Sequence, residues 1–161
     1  MKIRVTIFEI SRWVVVALAL VFLISKFASD PISNADPKEV EAAVVAEIDM
    51  TNMLTADNQM IKRLYGIDPV AYEYCVLYYP TTNMEAEELL IVKLSDVSQG
   101  EALEAAINAR IETQKNSFDG YGIEQYDMLT NNAVVHVRGN YVLFVVNANS
   151  AEAHKAFLDA L

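Results

Sequence analysis

Apolar residues at helical spacing predict four helices in the C-terminal part of the chain. In the first, Val40, Val44 and Ile48 lie four residues apart. Capping residues agree, because Asp36 and Pro37 precede this helix and Gly66 follows the second. The predicted helices span Lys38 to Ile48, Asp57 to Tyr65, Gly100 to Phe118 and a terminal segment from Ser150, with a further helical turn or two between Ile123 and Leu129.

Four dense runs of branched and aromatic residues predict strands. They span Glu73 to Tyr79, Glu88 to Leu94, Ala133 to Arg138 and Tyr141 to Val146. Gly139 and Asn140 between the last two runs indicate a hairpin, in which Arg138 pairs with Tyr141. The order of elements is ααββαββα. It predicts one α+β domain over residues 36–161, with a four-stranded, largely antiparallel sheet packed by helices.

An uninterrupted apolar run from Trp13 to Ile24 follows three cations near the amino terminus. With its flanks it extends to about the 20 residues that a membrane-spanning helix needs, so residues 1–28 are expected to be a membrane anchor or signal segment. The excess of cations before the run places the amino terminus in the cytoplasm and the C-terminal domain outside the cell membrane. The expected anchor residues are Trp13, Leu18, Leu20, Phe22, Leu23 and Ile24.

Two other interpretations of this run stay open. Signal peptidase would release a secreted domain if it cut after the small residues of Ser33-Asn34-Ala35, although this site lies far from the apolar core. The run would alternatively be a buried helix of a soluble protein, but it has no polar face. Residues 29–35, which contain Asp30-Pro31, are expected to be a linker.

The net negative charge of the chain excludes some classes of binding partner. The chain has a net charge of -10, and from Asp36 onward 8 Lys and Arg face 20 Asp and Glu, a net charge of -12. So acidic a domain is a poor partner for nucleic acid or anionic lipid. Cys75 is the only cysteine, which excludes an internal disulfide. It is expected to behave as a small buried hydrophobe, the alternative being a thiol that pairs with another chain.

Catalytic and metal-binding patterns are weak, and we expect no catalytic residue, no metal and no cofactor. Cys75 and His136 both fall on predicted strands, yet nothing in their spacing requires a nucleophile–base pair. His136 is expected on the sheet face away from the main core, and His154 is expected to be solvated. The glutamates 85, 87 and 88 resemble a solvated acidic loop more than a calcium site.

Two features suggest binding surfaces. Tyr74, Tyr78, Tyr141 and Leu143 are predicted on one sheet face. That face either receives an envelope protein partner or is covered by the two amino-terminal helices of the domain. Arg110 and Gln114 lie one turn apart beside the apolar stripe of the longest helix. Arg110 is expected to pair with a carboxylate that stabilises the fold, or else to bind a ligand.

Three short motifs in a fixed order resemble an uncharacterised bacterial family, domain of unknown function 4358, found mainly in Gram-positive species. They are Leu64-Tyr65-Gly66-Ile67-Asp68, then Arg110 to Gln114 with Ser117, Phe118 and Tyr121, then Gly139-Asn140-Tyr141-Val142. The resemblance runs from about Glu39 to Phe157. It implies a small extracytoplasmic domain behind a lipoprotein signal or membrane anchor, and it carries no activity. The chain lacks the cysteine that would carry a lipid.

These observations favour a membrane-tethered, non-enzymatic binding or interaction module. A small cell-envelope enzyme, or an accessory subunit of one, is the alternative, and it requires a pocket that gathers Arg110, His136 and a carboxylate. A purely structural spacer is the third possibility. The sequence does not indicate the oligomeric state.

Overall fold

The computed structural model describes residues 12–20 and 31–161. Residues 12–20 form helix α1, whose side chains are all exposed, and they belong to a compact unit distinct from Pro31–Leu161. Within the two described ranges, no helix has the length and apolar character to cross a membrane. Of the expected anchor residues, Trp13, Leu18 and Leu20 lie in α1, whereas Phe22, Leu23 and Ile24 lie outside the described residues.

Residues 31–161 contain one antiparallel sheet of five strands, in the spatial order β1-β2-β3-β5-β4. The strands are β1 (Met53–Thr55), β2 (Tyr74–Pro80), β3 (Glu88–Lys93), β4 (Ala133–Arg138) and β5 (Tyr141–Val146). The predicted hairpin is confirmed in its register, because Arg138 pairs with Tyr141 and His136 with Leu143. The expectation of four strands was wrong, since β1 adds a short fifth strand along β2.

Five helices surround this sheet in the C-terminal unit: α2 (Pro37–Val45), α3 (Asn58–Tyr65), α4 (Gly100–Phe118), α5 (Ile123–Asn131) and α6 (Ser150–Ala160). Single 3₁₀ turns lie at Pro69–Ala71 and Val97–Gln99. The Asp36 carboxylate accepts the backbone N–H of Lys38 at the start of α2. Gly66 ends α3 at a φ of 69°, a left-handed conformation that glycine adopts without a steric penalty. The five helices and the antiparallel sheet together confirm the predicted α+β class.

Each sheet face buries its own apolar cluster, because successive strand residues point to opposite sides. The front face carries Leu90, Val92 and Phe144 and packs against α3, α4 and α5. The back face carries Leu89, Ile91 and Leu143 and packs against α2 and α6. Only one of the two amino-terminal helices thus covers the predicted tyrosine-rich face. The C-terminal helix α6 completes the cover, and α3 packs on the opposite side.

Candidate functional site

Glu88 is the central residue of the candidate site. It begins β3 on the front face, in step with Leu90 and Val92, and none of its surface is exposed. Arg110 reaches it from α4, with Nη2 3.1 Å from Glu88 Oε2 and Nε donating to both oxygens at 3.2–3.3 Å. The Tyr65 hydroxyl at the end of α3 donates to Glu88 Oε1 at 2.9 Å. A buried carboxylate thus joins a strand to two helices.

The helices place these partners by ordinary amphipathic packing. Residues Leu103, Ile107, Ile111 and Gln114 form the buried stripe of α4, and Arg110 flanks that stripe with a side chain that is 16% exposed. In α3, Ile61 and Tyr65 are buried one turn apart. The left-handed Gly66 ends the helix directly after Tyr65, and the Tyr65 ring packs edge-on against Phe144 of β5, with the ring centroids 6.4 Å apart.

Burial and pairing act on Glu88 in opposite directions. Burial is the larger effect and raises the pKa of its carboxyl above the ordinary value of 4.5, whereas the Arg110 charge and hydrogen bonds from Arg110, Tyr65 and Gln114 lower that pKa. Burial, and then the neighbouring Glu88 charge, raises the pKa of the Tyr65 hydroxyl well above its ordinary value, so the phenol stays a donor. The cluster is a saturated structural network, since Tyr65 and Arg110 already engage both Glu88 oxygens.

A cleft of about 410 Å³ opens beside this network. Its size falls in the range of small-molecule sites. The walls come from α3, from the end of β2 with the loop after it, and from α4. The residues lining it are Met60, Arg63, Leu64, Tyr79, Pro80, Thr81, Thr82, Asn83, Glu85, Arg110, Gln114, Ser117, Phe118 and Tyr121.

Two residues that line the cleft, Gln114 and Glu85, each carry one oxygen that has no hydrogen-bond partner among residues 12–20 and 31–161. Gln114 is only 5% exposed, and its Oε1 atom has no partner. Glu85 Oε2 is likewise buried and unpartnered, although the rest of the Glu85 side chain is half-buried. A buried polar atom left unpaired costs about 1–3 kcal/mol. Both atoms are acceptors, so a ligand with hydrogen-bond donors would satisfy them.

Arg110 and Gln114, singled out from the sequence, are thus together on one wall of the cleft. Glu88 begins β3, as the predicted strand from Glu88 to Leu94 has it. Sequence reasoning nevertheless missed Tyr65 and the burial of Glu88, because Glu88 was also grouped with Glu85 and Glu87 as a solvated acidic loop. That expectation was wrong for Glu88, which is fully buried. Its position two residues before Leu90 on an apolar strand is the signal that places it on the inner face.

The four residues of the predicted interaction face lie on the back of the sheet. Tyr141 and Leu143 are fully buried, and the Tyr141 hydroxyl donates to the Ala35 carbonyl at 2.7 Å. Tyr74 and Tyr78 are half-buried, and both hydroxyls donate to Glu41 of α2. A partner at this face would therefore have to displace α2 or α6.

The two histidines meet on the back face. His154 Nε2 of α6 lies 3.0 Å from His136 Nδ1 of β4, and burial, then the neighbouring His136, lowers the pKa of His154. The expected solvation of His154 was wrong, since the ring is half-buried. Arg110 binds Glu88 on the front face, so the alternative of one pocket containing Arg110 and His136 was also wrong.

Cys75 packs against the front cluster and is likewise separated from His136 by the sheet. Burial raises the pKa of its thiol to about 12, which makes a thiolate nucleophile rare at neutral pH. Within residues 12–20 and 31–161, no group of three or more His, Cys, Asp or Glu side chains is arranged to hold a metal ion.

Comparison with known proteins identifies the family of this chain. The family model described as "Domain of unknown function (DUF4358)" matches residues 46–147, which is more than half of the chain. This stretch includes Glu88, Arg110 and Gln114 and every residue that lines the cleft. No curated protein and no solved structure matches the chain.

Proposed function

This chain belongs to the DUF4358 family, and on that premise we propose that it is a membrane-tethered, extracytoplasmic module that binds a small ligand and catalyses no reaction. The single observation that supports binding is the buried, unpartnered Oε1 atom of Gln114 on the wall of a 410 Å³ cleft. Folding has left a buried acceptor without a donor in a residue that lines a cleft large enough for a small molecule.

The chemistry of the cleft favours recognition over catalysis. The lining residues include neither a histidine nor a cysteine. Ser117, a nucleophile by residue type, donates its hydroxyl to the Thr113 backbone carbonyl at 2.9 Å and not to a side chain that could act as a base. Arg110 is occupied by Glu88, and its pairing there positions α4 instead of activating a reacting group.

Binding is testable by thermal unfolding of the full chain, purified in mild detergent, against a panel of small polar metabolites. A ligand at a hundred times its Kd adds about 2.7 kcal/mol to the free energy of unfolding. For a domain of this size, that corresponds to a rise in Tm of about 5–10 °C. We expect at least one such ligand, and its effect should disappear in the Gln114→Met variant. If every stabilising compound acts equally on wild type and variant, the cleft is not the binding site.

Membrane tethering is supported by the apolar run and by α1, in which Trp13, Leu18 and Leu20 are all more than half exposed. Exposed apolar side chains in succession need a lipid or protein environment to cover them. The cations that precede the run support an extracytoplasmic position for residues 36–161.

Topology is tested with a reporter enzyme that is active only outside the cytoplasm, fused after residue 35. We expect an active reporter, and it should stay in the membrane fraction after carbonate extraction. An inactive reporter would contradict the orientation. An active reporter found in the medium would instead favour cleavage and secretion.

A further inference from the structure

The unpartnered groups in the residues that line the cleft indicate the charge and the hydrogen-bonding groups that its ligand carries. This inference rests on the proposed binding function. We propose that the cleft takes a primary ammonium group, presented by a small amine, against Gln114 Oε1 and Glu85 Oε2. Both are unpartnered acceptors, so the complementary group must donate. An ammonium offers three donors and no acceptor, whereas a carboxylate or phosphate offers only acceptors.

Charge distinguishes an ammonium from a neutral donor such as a hydroxyl. Glu85 is half-buried with one buried, unpartnered carboxylate oxygen, and a cation beside it forms a charge-assisted hydrogen bond, about twice as strong as a neutral one. From Asp36 onward the net charge of -12 attracts cations over a longer range.

Two cationic side chains, Arg63 and Arg110, line the same cleft and would repel an ammonium if their charges were uncompensated. The Arg110 charge is neutralised by the fully buried Glu88 carboxylate at 3.1 Å. Arg63 is exposed, and its guanidinium lies beside the Met60 sulfur, so solvent screens its charge. Neither arginine presents an uncompensated, desolvated charge to a ligand at Gln114.

Aromatic rings complete the site. Tyr79, Phe118 and Tyr121 line the cleft, and the Phe118 and Tyr121 ring centroids lie 6.2 Å apart. An aromatic face attracts an ammonium through its quadrupole and also covers the apolar stem that carries it. Tyr121 is 62% exposed, so this ring is available to an incoming ligand.

The probes for a direct test are three molecules with the same carbon chain: n-butylammonium, n-butanol and n-butyrate. Each is titrated at pH 7 into the full chain by saturation-transfer NMR. We expect n-butylammonium to bind at least tenfold more tightly than either of the others. Glu85→Gln and Gln114→Met should each weaken that binding at least tenfold. Glu87→Gln removes the same charge from a neighbouring glutamate that does not line the cleft, and it should leave binding unchanged.

Circular dichroism first confirms that the three variants are folded. Preferential binding of n-butyrate or n-butanol that depends on Gln114 would overturn the ammonium class and leave the binding function intact. Equal weakening by Glu87→Gln would also overturn it, because a general acidic field would then explain the attraction. If no probe binds while the metabolite panel yields a Gln114-dependent ligand, only the ammonium class is wrong. If both experiments fail, the proposed function fails with it.

Discussion

Replacement of Arg110 by alanine tests the buried network most sharply. The change leaves the Glu88 carboxylate, which has no exposed surface, without its ion-pair partner. Breaking a buried pair by removing one partner costs about 3–5 kcal/mol. Tyr65 continues to donate to Glu88 Oε1, so we expect the lower end, about 3 kcal/mol at pH 7.

The destabilisation should depend on pH. Burial already raises the pKa of Glu88 above 4.5, and loss of the Arg110 charge removes the largest effect that lowers it. A folded-state pKa above the unfolded value means that the folded protein holds its proton longer, so stability falls as pH rises from about 4.5 towards the folded pKa. The additional loss in the variant should therefore be small at pH 4.5 and grow by up to about 1.4 kcal/mol per pH unit above it.

The assay is urea unfolding of the full chain at several pH values. Lys115→Ala is the matched control, because Lys115 lies on the same helix and pairs with the exposed Glu112 at 3.7 Å; it should cost less than about 1 kcal/mol. The double variant Arg110→Met/Glu88→Leu should regain only part of the lost stability, because no charge is then buried but the buried Tyr65 hydroxyl loses its acceptor. If Arg110→Ala and Lys115→Ala lower the free energy of unfolding equally, or if the loss in Arg110→Ala is independent of pH, the reasoning is refuted.

Three further predictions concern other parts of the fold. Gly66→Ala should lower the free energy of unfolding by about 1 kcal/mol, because φ is +69° but an added Cβ meets no neighbouring atom. Gly139→Ala should lower it more, because its Cβ would lie 2.3 Å from the Pro31 carbonyl oxygen. Equal urea midpoints for the two variants would contradict this. Burial raises the pKa of Cys75 to about 12, which should slow its reaction with a disulfide reagent at pH 8 more than about tenfold relative to a free thiol, because the thiolate fraction falls more than its nucleophilicity rises. A rapid reaction would mean that the thiol is accessible and ionised. The lowered pKa of His154 means that the unfolded chain binds the proton more readily, so stability should fall as pH drops below 6.5; His154→Gln should reduce this fall, and an identical pH profile would contradict it.

Elements with strong local signals could be predicted from the sequence. The hairpin from Ala133 to Val146 has its predicted bounds and register, because Gly139 and Asn140 dictate the turn and branched residues flank it. Helix α4 likewise runs from Gly100 to Phe118 as predicted. In both cases capping or turn chemistry agrees with the apolar periodicity, so local preference and tertiary packing favour the same structure.

Other features depend on tertiary contacts that leave little trace in the sequence. Strand β1 has only three residues, none of them fully buried, and it forms by pairing its backbone with β2. An amphipathic pattern shows that a helix buries a stripe but does not show which sheet face it covers. The placement of α3 on the front and α6 on the back therefore had to come from the structure.

The candidate site likewise combines residues that the sequence identifies with contacts that only the folded structure shows. Arg110 and Gln114 were identifiable as polar residues beside an apolar stripe. Their partner Glu88 lies 22 residues from Arg110 along the chain, and only the assembled sheet brings the two together. The free acceptors Glu85 Oε2 and Gln114 Oε1 became visible only once the surrounding hydrogen bonds were known.

A crystal structure of the full chain grown with n-butylamine tests the central claim most directly. We predict the ammonium nitrogen in the cleft at hydrogen-bonding distance, about 2.7–3.2 Å, from both Gln114 Oε1 and Glu85 Oε2. An amine bound elsewhere on the protein, with only water beside Gln114, would contradict the assignment of this cleft as the binding site.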